Sequence, residues 1–130
     1  MDPHSEVEGT MQRVLLFVYG TLMRGESAHT LLGADARFVG SAQTEPRFTL
    51  LDMGEYPALV DGGCTAVRGE LYEIDARLLA ALDRYEDVPE MYERRTLAIG
   101  QHTAVAYVLH QRLAQGFGPI ESGDWRTHPR

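Results

Sequence analysis

The feature that most constrains this chain is an apolar run that stops at a glycine: Val14-Leu-Leu-Phe-Val18, followed by Tyr19-Gly-Thr-Leu22. An uninterrupted run with β-branched and aromatic members suits a strand covered on both faces, so the surrounding chain must supply material for two layers. A glycine directly after such a strand permits a sharp turn and a close approach to the backbone. The N–H groups of Gly20, Thr21 and Leu22 can then converge on one anionic or carbonyl oxygen, as a backbone nest does. The same residues also read as an ordinary exit from a sheet, and spacing alone leaves both readings open.

The remaining pattern is strand-rich. Glu26 to Leu32 is expected to form one or two helical turns ended by Gly33. Arg37 to Thr44 and Phe48 to Asp52 read as strands separated at Glu45-Pro46. Tyr56-Pro57 restricts the backbone between two sheet elements, with a trans bond as the default, and Asp61-Gly-Gly63 is a turn. Val67 to Ile74 is a further strand in which Gly69 marks a bulge or a close backbone approach. Tyr92 to Ile99 and Thr103 to Leu109, joined by Gly100-Gln-His102, read as a hairpin. From Gln111 onward the expectation is loop and tail.

One helix stands out, over Asp75 to Tyr85. Asp75 can cap it, and Leu78, Leu79, Leu82 and Tyr85 recur at helical spacing. At ~100° per residue, position 86 falls within about 40° of Leu79 and Leu82, which aims Glu86 at the core. A carboxylate there loses hydration and meets the negative end of the helix dipole, and both effects raise its pKa. Glu86 is therefore a proton-transfer candidate. The competing reading ends the helix one residue early, swings Glu86 outward and pairs it with Arg94 or Arg95. Many strands with one main helix point to α+β with a strongly bent or closed sheet.

Length and charge narrow the function. At 130 residues the chain is one domain's worth, enough to bury roughly two thirds of its unfolded surface. A net charge of −7 without any Lys or Arg cluster argues against nucleic acid or an anionic membrane as partner. Met1 to Gln12 is expected to be a flexible acidic tail, neither signal peptide nor membrane span, with residues 13–130 as a single domain. The single cysteine excludes an internal disulfide and fits a reducing compartment, so a cytoplasmic location is expected.

Other constellations carry less. The histidines at 4, 29, 102, 110 and 128 have no ligand spacing, so no metal site is expected. Cys64 can be a thiol nucleophile, but a small buried hydrophobe is the better reading. No Walker loop or dinucleotide fingerprint is present. The six tyrosines, at 19, 56, 72, 85, 92 and 107, read as core or rim, and some can orient a polar ligand.

Together, Phe17-Val-Tyr-Gly-Thr-Leu-Met-Arg-Gly25, Gly54-Glu-Tyr-Pro-Ala-Leu59, Gly69-Glu-Leu-Tyr72, Leu82-Asp-Arg-Tyr-Glu86, Tyr92-Glu-Arg94 and Gly123-Asp-Trp125 resemble the gamma-glutamylcyclotransferase-like family. The resemblance implies a small mixed β-barrel with a flanking helix, a cavity for a small gamma-glutamyl substrate at its mouth, and no metal or cofactor. It implies that Tyr19, Gly20, Thr21 and Leu22 hold the glutamyl part and that Glu86 is the acid/base. The loop reads Tyr-Gly-Thr-Leu, closer to the gamma-glutamylamine branch than to the Tyr-Gly-Ser-Asn of enzymes acting on dipeptides.

The chemistry is compatible with that assignment. Cyclisation of a gamma-glutamyl amide needs one proton removed from the attacking amine and one delivered to the leaving amine, and one carboxylate can make both transfers. The alternatives are a non-catalytic module that binds a small molecule in the same cavity, and a structural protein in which the Gly20 turn is only a turn.

Overall fold

The computed structural model describes residues 12–129. The expected acidic tail lies outside the described residues except for Gln12, which is exposed. The elements are β1 (Arg13–Val18), β2 (Arg37–Gln43), β3 (Phe48–Asp52), β4 (Pro57–Asp61), β5 (Arg68–Asp75), α1 (Ala76–Tyr85), β6 (Tyr92–Ile99), β7 (His102–Leu109) and β8 (Gly118–Pro119), with 3-10 turns at His29–Leu32, Gln111–Leu113 and Trp125–Thr127.

The apolar run is the inner strand it was expected to be. β1 pairs antiparallel with β5, from Arg13↔Asp75 to Val18↔Glu70, and parallel with β7 at Leu16↔Val105. Its consecutive residues Leu16, Phe17 and Val18 are all buried, which requires cover on both faces. β7 pairs with β6 along its whole length and meets β4 at Leu59↔Val108. The path runs β2-β5-β1-β7-β4-β3-β8, with β6 attached to β7. The architecture is thus mixed α+β. Of the two forms expected for the sheet, it is the bent one, because the ladder does not close; a lone bridge, Thr44↔Ile99, brings the end of β2 to β6.

Gly69 resolves in favour of close approach. A Cβ there would stand 2.2 Å from the carbonyl oxygen of Val18, so only glycine lets β5 cross that point. The register shift lies instead on β2, between Phe38 and Gly40. Tyr56-Pro57 is trans, since the cis bond among the described residues is Val88-Pro89.

Two expectations need correction. The segment after Gln111 is not a tail: β8 pairs with β3 at Leu51↔Pro119, Arg68 N–H donates to Gly123 O at 2.8 Å, and Ile120 and Trp125 are buried. Cys64 is exposed rather than a buried hydrophobe, because it sits at the solvent side of the turn that follows β4.

α1 begins where the sequence placed it, with the Asp75 carboxylate accepting from Leu78 N–H at 2.8 Å. Its end is more informative. Asp87 has φ +56°, a left-handed conformation that Asp tolerates better than most side chains. Asp87 N–H donates to Arg84 O at 3.1 Å and Val88 N–H to Asp83 O at 3.0 Å, the two bonds of a Schellman cap with Glu86 as the capping residue. Leu79 and Leu82 pack inward as expected, whereas Tyr85 is half exposed and leaves the apolar stripe.

Candidate active site

Glu86 closes α1 with its N–H still donating to Leu82 O at 2.8 Å, so the helical phase that carries Leu79 and Leu82 inward extends to it. The helix ends at Tyr85, as expected, and Glu86 as its cap does not swing out to an arginine. Arg94 pairs with Asp83 at 2.6 Å, and Arg95 pairs with Asp61. Asp83 also accepts from the Tyr107 hydroxyl at 2.8 Å, which pins the last turn of α1 to β7.

Half-buried Glu86 lines a cavity of about 420 Å³. Tyr19, Gly20, Thr21 and Leu22 line the same cavity, so the structure brings all five sequence-derived candidates together. Its other walls include Tyr56, Pro57, Tyr85 and Tyr92. Neither Cys64 nor any histidine is among its lining residues, and among the described residues no three His, Cys, Asp or Glu side chains gather as a cation site.

The loop after β1 has its carbonyls engaged and its donors available. Gly20 O accepts from Met23 N–H at 3.1 Å, Thr21 O from Ala28 N–H at 2.9 Å, and Leu22 O from His29 Nδ1 at 2.9 Å. The N–H groups of Gly20, Thr21 and Leu22 have no acceptor among the described residues. No Arg, Lys or His lines the cavity, so these three are its candidate backbone donors for a carboxylate.

The reason for glycine at position 20 differs from the expected one. Its φ is not left-handed. A Cβ there would instead lie 2.7 Å from the ring of Pro57. The close approach is made by another wall of the cavity.

Tyr19 contributes its ring to the wall, while its hydroxyl is committed to structure. It donates to Tyr107 O at 2.6 Å and accepts from Leu59 N–H at 3.3 Å, joining β1 to β7 and β4. Burial, reinforced by Tyr92 and Glu86, pushes its pKa well above the ordinary tyrosine value. Burial likewise raises Tyr92 and Tyr107, so all three phenols stay protonated. Glu86 is different: burial pushes its carboxyl up to about 7, where it exchanges protons near neutrality.

In the sequence the tyrosines at 56, 85 and 92 read as core or rim with some able to orient a polar ligand, and nothing there singles out these three. Tyr85 is the last residue of α1 and half exposed, whereas Leu79 and Leu82 on the same helix are buried.

A family model described as gamma-glutamyl cyclotransferase, AIG2-like, matches residues 16–127, which include every element that builds the cavity. The chain belongs to that family. A Vibrio cholerae protein, provisionally named a gamma-glutamylcyclotransferase, is 44% identical over 111 residues, covering 85% of this chain and 94% of the relative. The bovine gamma-glutamylaminecyclotransferase is 41% identical over 92 residues, covering 65% of this chain and 55% of the bovine protein. Among solved structures, a mouse AIG2-like protein superposes with a TM-score of 0.76 at 29% identity, over 92% of this chain and 97% of the mouse chain. The chain is accordingly an enzyme of the gamma-glutamyl cyclotransferase family, and none of its helices among the described residues is long and apolar enough to cross a membrane.

Proposed function

We propose that this enzyme cyclises a gamma-glutamyl amine or related amide, with Glu86 as its general acid/base and residues 19–22 as the seat of the glutamyl part. The observation that carries this reading is that one cavity is lined both by Glu86 and by residues 19–22, whose N–H groups at 20–22 have no acceptor among the described residues. The Tyr-Gly-Thr-Leu loop and the likeness to the bovine gamma-glutamylaminecyclotransferase favour an amine leaving group over an amino acid.

The substrate's α-ammonium group first gives one proton to solvent, and the lone pair this frees attacks the γ-carbonyl carbon. A ring C–N bond forms as the carbonyl π pair moves onto oxygen. The new ring nitrogen gives a second proton to the Glu86 carboxylate. Collapse of the oxyanion breaks the bond to the leaving nitrogen, which takes the proton back from Glu86. The products are 5-oxoproline and a free amine, no water is consumed, and Glu86 is regenerated. A single group makes both transfers best with a pKa near the working pH, and such catalysis is typically worth about 10²–10⁴-fold. The N–H groups of residues 20–22 hold the substrate's α-carboxylate, folding the chain so that the amine lies against the γ-carbonyl.

The test is a panel of gamma-glutamyl amines and gamma-glutamyl dipeptides, scored for 5-oxoproline. Release from amines in preference to dipeptides is expected. A protein that binds 5-oxoproline but releases none from any member would be a binding module.

A further inference from the structure

Glu70 on β5 does not line the cavity, yet it is a charged side chain that is 2% exposed. Buried carboxylates persist only with several partners. Its Oε1 accepts from Arg24 N–H at 2.9 Å and from the Tyr72 hydroxyl at 3.0 Å, and its Oε2 accepts from Arg126 Nη2 at 2.9 Å. Burial by itself would raise its pKa, but the hydrogen bonds from Arg24, Arg126 and Tyr72 outweigh it and hold the carboxyl below its ordinary value. The same Arg126 nitrogen also donates to Arg24 O.

Both backbone groups of Arg24 are therefore fixed from far away in sequence: its N–H by Glu70, 46 residues on, and its C=O by Arg126, 102 residues on. The Arg24 guanidinium lies 3.8 Å over the Phe38 ring, which holds the side chain as well. Arg126 is itself anchored beside buried Trp125, in a turn whose N–H at Arg126 donates to Asp124 Oδ1 at 3.0 Å. Arg24 follows Leu22 by two residues, at the end of the loop in which the N–H groups of residues 20–22 have no acceptor among the described residues.

We infer that Glu70 and Arg126 are positioning residues that clamp the backbone of Arg24 and thereby hold the N–H groups of residues 20–22 ready for the glutamyl carboxylate. This rests on the reading of residues 19–22 as the glutamyl seat. It makes the segment around Trp125 a working part of the site, although it touches neither the substrate nor Glu86.

The test uses the full chain carrying Arg126→Met, Arg126→Lys or Glu70→Gln. Amide signals of Gly20, Thr21 and Leu22 are followed while 5-oxoproline is titrated, and KM, kcat and thermal unfolding are measured alongside. In Arg126→Met the Kd for 5-oxoproline and the KM should each rise by about tenfold or more, with kcat and the midpoint of its pH profile changed far less. Arg126→Lys, which keeps a cationic donor, should recover most of the loss. Glu70→Gln keeps the side-chain size and should weaken binding in the same direction, so it decides the matter where Arg126→Met does not fold. A folded Arg126→Met with a lower melting temperature but a Kd and KM within about twofold of wild type would make the pair merely structural. Wild-type protein that binds 5-oxoproline at the loop without turnover would overturn the cyclotransferase reading, leaving the clamp to be judged on Kd. Wild-type protein that releases 5-oxoproline while its loop amides ignore it would overturn the glutamyl seat and the clamp with it, and leave the cyclotransferase reading standing.

Discussion

Gly20 and Pro57 meet at the point where β1 opens into the cavity: a Cβ on Gly20 would stand 2.7 Å from both Cγ and Cδ of the proline ring. Any side chain there must push aside Pro57, which starts β4 and lines the same cavity. Gly20→Val is expected to cost about 1–3 kcal/mol by overpacking and to abolish binding of 5-oxoproline. Thermal unfolding and a binding titration check the two effects separately. A folded Gly20→Val variant with unchanged affinity would detach the loop from ligand binding.

Tyr19→Phe removes a hydroxyl that bonds both Tyr107 O and Leu59 N–H. Both backbone groups sit on buried residues, so leaving them without that partner is expected to destabilise the protein by about 1–3 kcal/mol. The phenol is no proton donor to substrate in this account, so kcat in the folded variant should fall far less than on loss of Glu86. Urea unfolding and steady-state kinetics measure the two; a collapse of kcat with unchanged stability would assign Tyr19 a chemical role.

How much of this was legible in sequence depends on the range of the forces involved. β1 declared itself because burial on both faces leaves an uninterrupted apolar run. α1 did so because Asp75, Leu79 and Leu82 obey local helical rules, and the same rules aimed Glu86 inward. The reason for Gly20 was not legible, since its neighbour Pro57 arrives through a separate hairpin. Nor was β8, whose two residues include a proline and carry no periodicity. Whether the sheet closes or merely bends depends on pairing between its distant ends, for which no local pattern exists. Glu70 carries one signal in the sequence, a carboxylate inside the strand-like stretch Val67 to Ile74, and the structure buries its neighbours Gly69, Leu71 and Tyr72 with it.

Cys64 is exposed and lies outside the cavity lining, and the mechanism has no place for a thiol. Cys64→Ala should keep the wild-type kcat/KM for 5-oxoproline release. Complete loss of turnover in a folded Cys64→Ala variant would revive a nucleophilic cysteine.

Glu86 ties stability to pH with a definite sign. Its carboxyl is raised from 4.5 to about 7 in the folded protein. Below the unfolded value both states are protonated and the group adds nothing. Between the two values the unfolded state releases its proton while the folded state keeps it, so stability falls as pH rises. The penalty levels off above the folded value, at no more than about 3 kcal/mol. Melting temperatures across this pH window, compared with those of Glu86→Gln, isolate the contribution. Identical slopes in the two proteins would contradict a raised pKa without touching the catalytic role.

The most direct test of the catalytic role is single-turnover release of 5-oxoproline by Glu86→Gln, using the best substrate from the amine panel. The amide is nearly isosteric with the carboxyl and keeps hydrogen-bonding capacity, so the fold and substrate binding should survive. It cannot carry a proton from the ring nitrogen to the leaving amine, so the rate should drop by about 10²-fold or more while KM changes little. A Glu86→Gln protein that releases 5-oxoproline at the wild-type rate would contradict the assignment of Glu86 as the acid/base.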